Sequence, residues 1–132
     1  MNLASSKGLV FIAYCFFLLL LTVFKSSGLF LPFLLQLESM LGGDKLMHLQ
    51  LAMLLSFLAC LASREFFVRR SIVLGWQLLI VFVLLSTGLF LDELHQYILS
   101  SRVFELMDTA FGILGVTIGL IVYSMCAKLK IV

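Results

Sequence analysis

Side chains with acid–base, ligand or ion-pair chemistry gather at three places in this chain. They are Asp44-Lys45-Leu46-Met47-His48, then Leu91-Asp92-Glu93-Leu94-His95-Gln96-Tyr97, then Arg102 followed by Asp108. Asp44 and His48 stand four residues apart, which on a helix puts them on one face, a turn apart. Asp92 and Gln96 obey the same rule, and Glu93 lies three before Gln96. Two kinds of chemistry suit such a set. In the first, His48 is a general base oriented by Asp44, with Asp92, Glu93 or Asp108 as acid–base partners or metal ligands. In the second, Arg102 and Lys45 hold a phosphate or other anionic headgroup, Arg through paired hydrogen bonds, while the carboxylates and Gln96 meet sugar hydroxyls. A His beside several carboxylates also suits a divalent ion, so the cofactor expectation is none, with a divalent metal as the alternative. Asp92-Glu93-Leu94-His95 is not the H-E-x-x-H of zinc proteases, which needs two His on one face, and no P-loop or nucleophile elbow is present.

The elements that must position these groups are largely hydrocarbon. Of 132 residues 63% are hydrophobic and 12% charged, against about 45–50% and about 25% in soluble domains. A core this small cannot hide so much apolar surface. The composition therefore predicts an all-α integral membrane bundle, a single domain over 1–132. Four spans are expected at 8–24, 46–62, 71–91 and 109–127, each near the roughly 17–25 residues that cross a bilayer. A cleaved leader competes for the first run, but 25–27 offers no small-x-small site and the run is long, so it reads as a retained helix. Between the first two spans, 29–40 is apolar but too short to cross, which predicts an interfacial or re-entrant helix ended by Gly42-Gly43. Residues 63–70 read as a loop. Cys15, Cys60 and Cys126 sit inside apolar runs and read as small buried hydrophobes, not as disulfide or zinc positions.

Charge sets the expected orientation. With the N-terminus in the cytoplasm, Lys7, Arg64, Arg69, Arg70, Lys128 and Lys130 lie inside, and Lys25, Lys45 and Arg102 lie outside. Of the acids, only Glu65 falls inside. The polar constellation then faces outward, at the start of the second span, the end of the third and the start of the fourth. Gly112, Gly115 and Gly119 follow Asp108 at four, seven and eleven residues, a single helical stripe that predicts close packing and turns Asp108 into the bundle. Asp108 or Glu93 is the expected partner of Arg102. Lys25, Glu38 and Glu105 read as solvated interface charges, and His95 as a bystander.

In order and spacing, Asp44-Lys45-x-x-His48, Asp92-Glu93-x-x-Gln96, Arg102 and Asp108 resemble the VanZ-like family of bacterial membrane proteins, over about 44–119. The chain has Ser100-Ser101 where that family usually has Pro-Gly, and Gly112 where it tends to have Asn. The resemblance implies a compact protein of the bacterial cytoplasmic membrane, with both termini in the cytoplasm, in a family whose founding member is linked to teicoplanin resistance. The expected site is Asp44, Lys45, His48, Asp92, Glu93, Gln96, Arg102 and Asp108. Its expected ligand is an anionic envelope lipid or lipid-linked glycan precursor; nucleic acid is not an expected partner. Two alternatives stand beside this. One is a membrane-embedded hydrolase or transferase with His48, Asp44 and Glu93 as catalytic candidates. The other is a structural subunit of an envelope complex, paired with another envelope protein or with its own copies.

Overall fold

A computed structural model describes residues 3–99, 105–129 and 131. The described residues form five helices: α1 (Leu3–Ser27), α2 (Leu31–Met40), α3 (Asp44–Arg69), α4 (Leu74–Leu99) and α5 (Leu106–Lys128). No strand occurs among the described residues. All but α2 are long and apolar enough to cross a membrane. Their outer faces carry Ile12 (65% exposed), Phe16 (62%) and Leu84 (67%), apolar surface that no other helix covers and that needs lipid as solvent. The chain is a multi-pass membrane protein.

All four spanning helices outrun their expected bounds at one end or both. Residues 63–69, expected as a loop, are the last turns of α3. Nothing in 63–69 breaks a helix: Ser63 donates its hydroxyl back to the Ala59 carbonyl at 2.7 Å, and Arg69 meets Glu65 at 3.6 Å across one turn. Charge there marks the edge of the apolar layer, not the end of the helix. Likewise α4 continues to Leu99, so Asp92, Glu93 and Gln96 are helical, and α1 reaches Ser27. Reversal between α2 and α3 is left to two glycines. Gly42 (φ 92°) and Gly43 (φ 102°) take left-handed conformations that other residues resist, and turn the end of α2 into the start of α3.

The third helix is the centre. α1 runs antiparallel to it, with the Tyr14 hydroxyl donating to the Leu51 carbonyl at 3.0 Å. α5 packs on it most extensively and in parallel, since Gly115 lies against Leu49 and Gly119 against Met53 and Ser56. α4 fills the side between α3 and α5. The core is small: Cys60, Val116 and Tyr123 are fully buried, with Phe57 edge-on to Tyr123 at 6.0 Å. Gln77 of α4 is 1% exposed and donates to the Cys60 carbonyl at 2.9 Å and to Ser63 Oγ at 3.2 Å. In lipid, where apolar burial drives little association, such a bridge joins two helices through polar contact. Ser63 lies fifteen residues from His48 on α3, about 22 Å at the helical rise. The bundle thus has two distinct polar ends.

Candidate functional site

Five helix ends converge at the end of the bundle where α3 begins. Lys25 comes from the last turn of α1, Glu38 from α2, Asp44 and His48 from the first turns of α3, Asp92 from α4, and Asp108 from the first turn of α5. Lys25 Nζ lies 2.7 Å from Glu38 Oε1 and 2.5 Å from Asp44 Oδ1. His48 Nε2 lies 3.5 Å from the same Asp44 oxygen and 3.9 Å from Asp108 Oδ2. One imidazole therefore stands between carboxylates of two helices. Asp108 is 5% exposed, and its Oδ1 is buried without a hydrogen-bond partner among the described residues.

Beside this cluster lies a cavity of about 100 Å³. Its walls are mostly Leu and Met from α1, α2, α3 and α4, and its polar lining is Thr22, Lys25, Glu38, His48 and Asp92. Leu18, Thr22, Leu55, Leu89 and Asp92 also line a more open groove of about 400 Å³ between α1 and α4. That groove runs along Leu84, Leu85 and Gly88, with Asp92 and His95 at its polar end. An apolar passage thus leads from the lipid face to the charged cluster.

Electrostatically this end is acidic. Among the described residues it carries Glu38, Asp44, Asp92, Glu93, Glu105 and Asp108 alongside Lys25 and Lys45, a formal excess of four negative charges with His48 neutral. Lys25 is taken up by Glu38 and Asp44, and Lys45 reaches Glu105 at 3.7 Å where both side chains are about half exposed.

The chain matches no family model, no curated protein and no solved structure. Of the residues expected from the sequence, Asp44, His48 and Asp108 meet, and Asp92 lines the adjoining cavity. Glu93, its neighbour, turns elsewhere: its Oε1 accepts the backbone N–H of Glu105 at 3.1 Å, at the start of α5. Lys45 points away from the cluster to Glu105. Gln96 lies within α4, with its side chain outside the described set. Arg102 lies outside the described residues, and so does its expected pairing with Asp108 or Glu93.

Two members of the cluster were read from the sequence as solvated charges. Lys25 and Glu38 are instead 18% and 13% exposed at the side chain and bonded to each other. No spacing rule links Lys25 to Asp44 nineteen residues on, because the link depends on how α2 folds back. The usable signal was weaker: a cation ending an apolar span needs a partner when a short apolar helix covers it. His95 lines the groove mouth and pairs with none of the cluster in the contacts described.

Proposed function

We propose that this protein, which resembles the VanZ-like family, binds the headgroup of a lipid-linked envelope precursor at the outer face of a bacterial cytoplasmic membrane. The single observation that carries the reading is the apolar groove between α1 and α4 ending at a polar cavity. A lipid tail fits the groove and the headgroup reaches Lys25, Glu38, His48 and Asp92. The acidic excess refines the ligand expectation. Carboxylates accept hydrogen bonds from glycan hydroxyls, whereas a bare phosphate is repelled from the cavity; the phosphate belongs at the rim, with Lys45. Glycopeptide resistance of the teicoplanin type is the phenotype that this role and the resemblance suggest.

The short α2 fits an interfacial position. Ten residues rise only about 15 Å, and Phe33 (62% exposed) and Leu35 (54%) lie on its surface while Leu34 packs inward. The six-to-three distribution of Lys and Arg supports an orientation with this end outside and both termini in the cytoplasm. An impermeant maleimide should label a Cys at Met40, which is 78% exposed, and spare one at Val73 on intact cells. The reverse pattern would put the site in the cytoplasm and end the envelope reading.

Gly88→Phe tests the groove. A Cβ at Gly88 meets nothing within 4 Å and Gly88 lines the open groove, so a Phe there is expected to plug the passage with the fold retained. Native mass spectrometry of the detergent-purified protein should show a bound glycolipid that Gly88→Phe loses. Retention of the same lipid by Gly88→Phe, or no bound amphiphile in the parent, rejects this function. A second reading, a hydrolase or transferase, draws on His48 standing 3.5 Å from Asp44 as an oriented base. It is favoured if the bound lipid is converted to product by the parent and not by His48→Gln.

A further inference from the structure

The geometry points to a binding site for one divalent cation of the manganese or zinc type, made by Asp44, His48 and Asp108. This goes beyond the amphiphile reading and stands or falls without it. Each of the three residues offers one ligand atom, and these atoms all lie within 4.8 Å of one another. Ions of this kind hold nitrogen and oxygen ligands at about 2.0–2.2 Å, which in a tetrahedral arrangement separates neighbouring ligand atoms by about 3.4 Å. The Asp44–His48 pair, at 3.5 Å, already has that spacing. His48 and Asp108, at 3.9 Å, reach it by a small side-chain rotation.

The second observation is independent of the spacing. Asp108 is 5% exposed, and its Oδ1 has no hydrogen-bond partner among the described residues. Buried charges persist when they are paired or when they coordinate a metal; leaving one unmet is costly. His48 is the basic group facing Asp108, and Lys25 has already met Glu38 and Asp44.

Charge balance agrees. Glu38, Asp44 and Asp108 against Lys25 leave two negative charges in excess with His48 neutral. A dication supplies the missing charge. It would draw Asp44 from Lys25, which keeps Glu38 at 2.7 Å. The mixed set of one imidazole nitrogen and two carboxylate oxygens suits manganese or zinc better than calcium or magnesium, which favour all-oxygen shells. Three protein ligands leave coordination open, the pattern of sites that bind a substrate oxygen. Because His48 also lines the cavity, an ion held there meets whatever the cavity contains.

The test uses the full chain in detergent, freed of any affinity tag and stripped with a chelator, then titrated with Mn²⁺ while free Mn²⁺ is followed by electron paramagnetic resonance. One saturable equivalent is expected. Asp108→Asn and His48→Gln should each weaken it at least about tenfold, since even outer-shell changes cost that much. Lys25→Gln should bind as tightly or more tightly, because it removes a competing cation. Helical circular dichroism and gel filtration report whether each variant folds. If both ligand variants misfold, electron spin echo modulation of the bound Mn²⁺ decides: coupling to an imidazole nitrogen upholds the site and its absence overturns it. No saturable equivalent, or equal affinity in parent and folded ligand variants, also overturns it.

Discussion

Gly115→Leu is expected to separate α5 from α3 and leave a protein that no longer unfolds cooperatively in detergent. A side chain at this position would occupy the space of the Leu49 backbone carbonyl, which belongs to the central helix and cannot step aside. Overpacking of adjustable cores costs about 1–3 kcal/mol, and a clash with backbone exceeds that range. Three other glycines grade the effect. At Gly119 a side chain meets the Met53 carbonyl and Ser56 Oγ, so Gly119→Leu should be as damaging. At Gly112 it meets the tip of Leu89 at 3.1 Å, a flexible side chain, so Gly112→Ala should be mild. At Gly88 it meets nothing, so Gly88→Ala should be neutral or slightly stabilising through helix propensity. Thermal melts of the four variants by near-ultraviolet circular dichroism provide the measurement. A Gly115→Leu protein that melts with the parent means that α5 does not pack on α3 through this stripe, and the burial of Asp108 would fall with it.

Removal of Lys25 has the second largest expected effect. The ammonium group ties the end of α1 to α2 through Glu38 and to α3 through Asp44, and it is 18% exposed at the side chain. Without it the two carboxylates face each other with no cation between them. Breaking a fully buried pair costs about 3–5 kcal/mol. Lys25→Ala should fall at or below the lower end, because the Asp44 side chain is 34% exposed and keeps some hydration. Two companions separate charge from packing. Glu38→Gln should recover much of the loss in the Lys25→Ala background, since it removes one of the opposed charges. Leu at position 25 should not, although it restores the lost hydrocarbon. If Lys25→Ala melts with the parent, the ion pair contributes nothing, and the amphiphile site loses its basic wall.

These two experiments probe features that were unequally visible in the sequence. The glycine stripe was visible because it is local: Gly112, Gly115 and Gly119 share a helical face whatever that face meets. The Asp44–His48 pair was visible for the same reason, being one turn apart on one helix. The role of Lys25 was not, because it joins three helices and depends on the path of α2.

What the sequence determined by itself is the membrane class and the number of spans. Apolar runs of bilayer length have few alternatives, since backbone polar groups in lipid must be satisfied within the helix. It also set the pairs that lie within one turn, and the face on which Asp108 sits. Helix ends were less legible, because charged residues such as Arg64, Glu65 and Arg69 leave the apolar layer without leaving the helix. Only the tertiary structure decided which neighbouring acid points where. Asp92 turns to the cavity while Glu93 receives the Glu105 amide, a choice set by where α5 begins against α4. It alone brought Lys25 and Glu38 to Asp44, and set Asp108 of α5 opposite His48 of α3. The physical reason is range. Periodicity reports contacts within a helix, whereas the meeting of helix ends follows from close packing at Gly115 and Gly119 and from the reversal at Gly42-Gly43, neither of which writes its partner into the local pattern.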